Sequence, residues 1–220
     1  MEQLDANTAF LNSDLKGRVY MDVPFGTENA EDYEYQLITA IYGLKQAASI
    51  WNKTIHRVFL GDGFKSCGTD QCVYVKRSQN GFIYVCLYID DMIIAAKASE
   101  EIRDVKDALK NAFKMKELGP AKLILGMEID HDMTGGTLMI KQTRYIDDVV
   151  NHFGKGNAKS VDNPCAAGLK LSKSQSPATE AERNAMRSKP YRSLIGCLLY
   201  ITTCSRLYIA FVVTQLSCFL

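Results

Sequence analysis

The 220 residues carry almost no net charge: 26 Lys and Arg stand against 25 Asp and Glu, a formal +1 at pH 7. No global basic field announces a nucleic acid, so a polyanionic partner would have to be held in a local groove. Paired C-x-x-C spacing is missing as well. The seven cysteines are scattered, and Cys67 and Cys72 have no second pair to complete a zinc site. We read them as reduced thiols of an intracellular protein. The first residues lack a basic stretch followed by an apolar core, so no signal peptide is expected. Long apolar runs are scarce too. Ser193 to Leu220 is rich in apolar residues, but Thr202 to Arg206 interrupts it, and a membrane span needs about 20 uninterrupted apolar residues. Two buried helices fit that segment better.

What is present is enough apolar material, 47% of residues, to bury one large domain or one domain with an appendage. The chain is organised around Phe82 to Ala95, which reads F-I-Y-V-C-L-Y-I-D-D-M-I-I-A. An apolar and aromatic run, Phe82 to Ile89, leads into Asp90 and Asp91, and the chain then returns through Met92 to Ala96. The pattern predicts a hairpin with acid at its tip. Phe82, Tyr84, Cys86 and Tyr88 fall on one face of a period-2 strand, and Ile83, Val85, Leu87 and Ile89 on the other. With both faces apolar, the strand is expected to be buried on both sides. Adjacent carboxylates at such a tip repel each other and lose solvation, and a hard divalent cation is the simplest compensation.

An Asp-Asp pair in a tight turn is also ordinary turn chemistry, and the chain supplies its own control. Y-I-D-D occurs twice, at Tyr88 to Asp91 and at Tyr145 to Asp148. Around the second copy Tyr145, Ile146, Val149, Val150 and Phe153 recur at helical spacing. Asp147 and Asp148 are therefore expected on the solvated side of a helix ending at Gly154. The strand context, not the tetrapeptide, singles out Asp90 and Asp91.

Before the hairpin, Asp5 lies among Leu4, Ala6, Ala9, Phe10 and Leu11. Arg18 to Val23 alternates like a strand and is stopped by Pro24 and Gly26, and residues 27 to 36 read as a surface loop. A helix is expected from Ala47 to Leu60 with Ile50, Trp51, Ile55, Val58 and Phe59 on its core face; Tyr42 to Ala48 (Y-G-L-K-Q-A-A) leads into it. After the hairpin, Ser99 is expected to cap a helix with Ile102, Val105, Leu109 and Phe113 inward, closed by Lys114, Lys116, Gly119 and Pro120. Lys122 to Ile129 and Thr137 to Lys141 read as strands around a Gly135-Gly136 turn. Gly154 to Pro190 reads as a linker with a short helix at Glu180 to Met186, and Arg192 to Leu220 as a helical segment.

These motifs form an ordered set. Asp5 with A-N-T-A-F-L-N, then V-Y-M, Y-G-L-K-Q-A-A-x-x-W, L-Y-I-D-D-M-I-I, F-K-M-K-E-L-G and L-G-M-E-I (Leu125 to Ile129) resembles the reverse transcriptase domain of copia-type long-terminal-repeat retrotransposons. Tyr191 to Ile201 (Y-R-S-L-I-G-C-L-L-Y-I) is similar to that family's connection to ribonuclease H. Where the family has T-R-P-D, this chain has Ser205, Arg206, Leu207 and Tyr208.

The resemblance implies an α+β fold: a polymerase palm over 1–120, a primer-grip hairpin and thumb-like helix over 121–153, a linker over 154–190, and the start of the connection over 191–220. Only four residues precede Asp5, so it also implies a chain truncated at its N-terminus, with the fingers largely missing. Asp5, Asp90 and Asp91 resemble the catalytic carboxylates that hold two magnesium ions about 4 Å apart, with manganese as an alternative. Phe10 resembles the aromatic that excludes a ribose 2′-hydroxyl, with core packing as its other reading. Gly43, Lys45 and Gln46 resemble the motif touching nucleotide and template, while Gln46 could equally begin the helix and Lys45 be solvated. Lys116 is similar to a proton donor for pyrophosphate, or serves a helix dipole. Leu125, Gly126 and Met127 resemble the primer grip. The implied partners are an RNA or DNA template, a primer, dNTPs, and the ribonuclease H and integrase regions of a parent polyprotein, with no membrane. The implied location is a cytoplasmic retrotransposon particle, with the nucleus as a second compartment. Two readings of different class stand: an RNA-directed DNA polymerase, and an inactive relic that at most binds nucleic acid or a partner polymerase chain.

Overall fold

The computed structural model describes residues 1–27, 34–159, 161, 164–165, 168 and 171–219. They form two compact units, Met1–Ala121 and Lys122–Leu220, in a mixed α+β architecture. In the first unit the elements are β1 (Glu2–Ala6), β2 (Tyr20–Asp22), β3 (Glu34–Gln36), α1 (Ala47–Gly61), β4 (Lys65–Ser66), β5 (Val73–Ser78), β6 (Gly81–Tyr88), β7 (Asp91–Ala95), α2 (Ser99–Ala112) and β8 (Met115–Pro120). Among the described residues six strands pair in the order β4-β5-β6-β7-β1-β8, with antiparallel registers throughout. The first strand of the chain is thus inserted between the seventh and the eighth.

One face of this sheet builds the core. Leu4 and Ala6 of β1, Ile83, Val85 and Leu87 of β6, and Met92 and Ile94 of β7 are buried with Trp51, Ile55 and Phe59 of α1 and Ile102, Val105 and Leu109 of α2. The helices form for the reasons their patterns give, apolar residues three and four apart closing on the sheet. The opposite face is open, which corrects the expectation that β6 is buried on both sides. Phe82, Tyr84 and Tyr88 are 51%, 45% and 54% exposed, while Ile83, Val85 and Leu87 on the same strand are at most 5% exposed. An antiparallel sheet tolerates one solvated face, and Tyr keeps a polar tip there.

Three further expectations change. Lys116 lies not in a helix terminus but on β8, because α2 ends at Ala112 and the chain then extends to pair with β1. Ser99 does not cap α2. Ala98 holds the extended position before the helix, and its backbone N–H donates to the Glu101 side chain at 3.4 Å. Of residues 27 to 36, Glu34–Gln36 pairs with Tyr20–Asp22 as a two-stranded ribbon, and 28–33 lie outside the described residues.

The second unit carries β9 (Leu123–Ile124), β10 (Met127–Asp132), β11 (Thr137–Lys141), α3 (Thr143–His152), α4 (Glu180–Arg187), α5 (Tyr191–Cys204) and α6 (Ala210–Ser217). The strand expected over 122–129 is a tight hairpin instead, turning at Leu125 and Gly126 with φ of 51° and 73°. On α3, Val149 is buried and Asp147 and Asp148 are exposed, as their helical spacing predicts. Ile195 and Ile201 of α5 and Val213 of α6 are buried, and the Tyr191 hydroxyl donates to the Leu216 carbonyl at 2.7 Å. The linker expected over 154–190 lies in part outside the described residues. Among those described, no helix is long and apolar enough to cross a membrane.

Candidate active site

The strand order brings Asp5 to the acidic hairpin. Leu4 and Ala6 must point into the core, so Asp5 between them points to the open face. Met92 and Ile94 do the same for Asp91. Asp5 and Asp91 are register partners across β1 and β7, and Lys116 is the partner of Asp5 on its other side, across β1 and β8. Directly opposed residues of antiparallel strands hold their Cβ atoms about 4.5–5.5 Å apart. A cation-bearing side chain and a carboxylate therefore flank Asp5 on the same face. The Gln3 side-chain amide donates to Asp91 Oδ1 at 3.4 Å.

Asp90 stands in the two-residue connection between β6 and β7, where Ile89 has φ of 53°. A β-branched residue rarely adopts that left-handed conformation, and holding it costs about 1–2 kcal/mol. Two hydrogen bonds to its backbone carbonyls restrain the turn. The Ala6 N–H donates to the Asp90 carbonyl at 2.8 Å, and the Trp51 indole N–H donates to the Ile89 carbonyl at 2.7 Å. Trp51 is core, as expected, with its ring edge-on to Phe113 at 5.0 Å; its polar contact with the hairpin tip is an addition that its helical position does not announce.

The Asp90 side chain is split between two environments. Its Oδ2 accepts a hydrogen bond from the Tyr42 hydroxyl, whereas its Oδ1 is buried and has no hydrogen-bond partner. Burial, the bond to Asp90 and the charges of Asp90 and Asp5 push the Tyr42 phenol up to about 12. Tyr42 also packs against Phe10, ring centroids 4.3 Å apart at a tilt of 44°. Phe10 itself is buried in the core cluster, in the short turn after β1. Tyr42 is exposed beside Asp90, and Tyr88, the register partner of Asp91, is exposed as well.

Gly43, Lys45 and Gln46 are exposed in the segment before α1. Gly43 takes φ of 98°, open to glycine and strained for other residues. Gln46 occupies the cap of α1, its carbonyl accepting the Ile50 N–H at 3.0 Å. Leu125, Gly126 and Met127 belong to the second unit. There the Tyr200 hydroxyl donates to the Leu125 carbonyl, and a Cβ on Gly126 would stand 3.7 Å from the Tyr145 ring and 3.9 Å from that of Tyr200.

Among the described residues, no three His, Cys, Asp or Glu side chains are grouped so that they could hold a metal ion as they stand. The donor set nevertheless suits a hard divalent cation. Asp5, Asp90 and Asp91 offer only oxygen ligands, and the orphaned Asp90 Oδ1 is the kind of buried polar atom that needs a partner.

An acidic hairpin flanked by a strand bearing a third carboxylate on a helix-backed antiparallel sheet suits phosphoryl chemistry in general. Similarity to known proteins narrows the class. The model of the family described as reverse transcriptase (RNA-dependent DNA polymerase) matches residues 1–167. The chain is 41% identical over its whole length to the retrovirus-related Pol polyprotein from transposon TNT 1-94 of Nicotiana tabacum, spanning 17% of that polyprotein. It is 31% identical over its whole length to the Pol polyprotein from transposon RE1 of Arabidopsis thaliana, spanning 14% of it. It is 30% identical over 99% of its length to a putative transposon Ty5-1 protein of Saccharomyces cerevisiae, spanning 69% of that protein. The chain belongs to the reverse transcriptase family, in the branch of Ty1/copia-type transposon Pol polyproteins. It spans less than a fifth of the tobacco and Arabidopsis polyproteins.

Proposed function

We propose that this chain is the palm and primer-grip portion of an RNA-directed DNA polymerase that extends a primer 3′-hydroxyl with dNTPs on an RNA or DNA template. The observation that carries this is the register that sets Asp5 opposite Asp91 and one residue from the Asp90 turn. Asp5, Asp90 and Asp91 would hold magnesium, or manganese in its place. Two such ions, when bound, supply charge neutralisation at the attacking and leaving oxygens of an in-line displacement. The chain's own residues supply position. The sheet holds Asp5 and Asp91 on adjacent strands, so their spacing is set by backbone pairing rather than by flexible loops. Lys116, on the strand beside Asp5, would give a proton to the departing pyrophosphate. Phe10, at the position that resembles the family's sugar-facing aromatic, would exclude a 2′-hydroxyl. Gly43, Lys45 and Gln46 line the approach of nucleotide and template. Leu125, Gly126 and Met127 would present backbone to the primer end. The setting is a retrotransposon particle in the cytoplasm or the nucleus, with ribonuclease H and integrase regions on the same polyprotein.

The test is primer extension by the purified chain on oligo-dT primed poly-rA with magnesium, with Asp90→Asn/Asp91→Asn as control. Extension that disappears in the control supports the reading. One observation favours a second reading, an inactive relic that at most binds nucleic acid or a partner polymerase chain: among the described residues, the carboxylates are not already gathered for a metal ion. A folded chain that binds primer–template but extends nothing at any magnesium or manganese concentration would select it.

A further inference from the structure

The Asp90 carboxylate is the least constrained part of a heavily constrained turn. Its backbone is fixed on one side by the Ala6 N–H and on the other by the Trp51 bond to Ile89. Only the rotation of the side chain remains free. That rotation decides which oxygen meets Tyr42 and which is buried. The Tyr42 hydroxyl holds Oδ2, and Oδ1 is left buried without a partner. Tyr42 is itself held, since its ring packs against Phe10 at 4.3 Å, and Phe10 is anchored in the core. A chain of contacts therefore runs from the core through two rings to one carboxylate oxygen.

We propose that Tyr42 is a positioning residue for Asp90: its hydroxyl fixes the rotation of the carboxylate and so sets how Asp90 meets a divalent cation held with Asp5 and Asp91. The inference rests on the metal-binding reading of Asp5, Asp90 and Asp91, and adds to it a residue that touches no cation. A neutral hydroxyl suits the task. It donates one directed hydrogen bond without bringing a positive charge that would compete with the cation. Outer-sphere partners of this kind orient metal-binding carboxylates, and their loss typically costs about 10- to 100-fold in metal affinity.

Tyr42→Phe isolates the hydroxyl. The ring is 52% exposed and its packing against Phe10 survives the change, so folding is not at stake. Binding of manganese(II) to the full chain, read from the electron paramagnetic resonance signal of the free ion, is compared in four proteins: wild type, Tyr42→Phe, Asp90→Asn and the double variant. The expected result is affinity about tenfold weaker for Tyr42→Phe, and no further loss when the same change is made on Asp90→Asn. Wild-type affinity in Tyr42→Phe, or tighter binding, overturns the proposal. So does an equal loss in both backgrounds, because Tyr42 would then act on something other than Asp90. If the wild type binds manganese no better than Asp90→Asn/Asp91→Asn, the metal-binding reading itself falls and takes the proposal with it, an outcome told apart by the wild type alone. Where extension is measurable, Tyr42→Phe raises the magnesium needed for half-maximal rate about tenfold and leaves the rate at saturating magnesium unchanged. A merely structural role would lower that plateau instead.

Discussion

Replacing Trp51 by Phe separates packing from support of the hairpin tip. Trp51 is buried at 2% exposure and does two things, filling the core against Phe113 and donating its indole N–H to the Ile89 carbonyl. Phe retains a ring but loses the donor and part of the volume. A net hydrogen bond is worth about 0.5–1.5 kcal/mol, rising to about 1–3 where the abandoned acceptor stays out of water. Shrinking a buried bicyclic ring adds about 1 kcal/mol, judged against the roughly 3–5 that full truncation costs. The sum is about 2–3 kcal/mol. Its location matters more than its size, because the bond restrains a turn that already holds Ile89 at φ of 53°. The chain has two compact units, so a single unfolding midpoint would blur the effect. Native-state hydrogen exchange resolves it. The Ala6 amide, which donates to the Asp90 carbonyl, reports the opening of the tip, and its protection should fall by about 30- to 150-fold, at about tenfold per 1.4 kcal/mol. Amides at the far end of α1, near Leu60, should lose much less. A drop at Ala6 of under about threefold, or an equal drop along all of α1, would refute the claim that Trp51 braces the hairpin rather than merely filling space.

Ile89→Gly removes the left-handed strain at that turn and should stabilise the hairpin by about 1 kcal/mol, seen as slower Ala6 amide exchange; faster exchange would mean that the Ile89 side chain matters more than its backbone. Gly126→Ala should destabilise the second unit by about 1–2 kcal/mol. The new methyl meets Tyr145 and Tyr200 at ordinary contact distances, so the φ of 73° carries the cost, and thermal unfolding of residues 122–220 as a separate piece checks it. Acid sensitivity should track Glu117, whose bonds to Lys106 and Lys110 hold its carboxyl below the usual value. A lowered carboxylate contributes stability that is present above about pH 4.5 and lost as pH falls through its folded value. Thermal stability should therefore drop on acidification below about pH 4.5 in the wild type and less so in Glu117→Gln. The Lys106 ammonium, raised by Glu117 and Glu2, keeps its share below its ordinary range and loses it only in strong alkali.

The hairpin, both long helices of the first unit and the decoy helix α3 are legible in the sequence because each rests on local periodicity. What the sequence hides is pairing. Lys116 sits in Met115–Pro120, a segment with a helix-ending look of Lys, Gly and Pro, and becomes a strand because β1 is there to pair with it. Strand preference of this kind is imposed by neighbours more than by residue type. The open face of β6 is hidden for a different reason, since Phe and Tyr count as apolar in any pattern yet tolerate water at a sheet surface. Tyr42 stands in a segment whose attention falls on Gly43, Lys45 and Gln46. Its contact with Asp90 spans 48 residues, and no local spacing encodes that.

The same dependence on pairing explains why Asp147 and Asp148 cannot stand in for Asp90 and Asp91 although both pairs close a Y-I-D-D tetrapeptide. On α3 successive side chains diverge by about 100°, and no neighbouring strand opposes the two carboxylates. On the sheet, alternation forces Asp5 and Asp91 to one side as long as Leu4, Ala6, Met92 and Ile94 stay in the core. A slip of one residue between β1 and β7 would turn Asp5 inward and Leu4 outward, burying an unpaired carboxylate at a cost of several kcal/mol. The register that protects the core is therefore the register that assembles the carboxylates. A stable sheet keeps Asp5 and Asp91 in register whether or not the chain catalyses, so primer extension and metal binding are the measurements that separate a working polymerase from a relic.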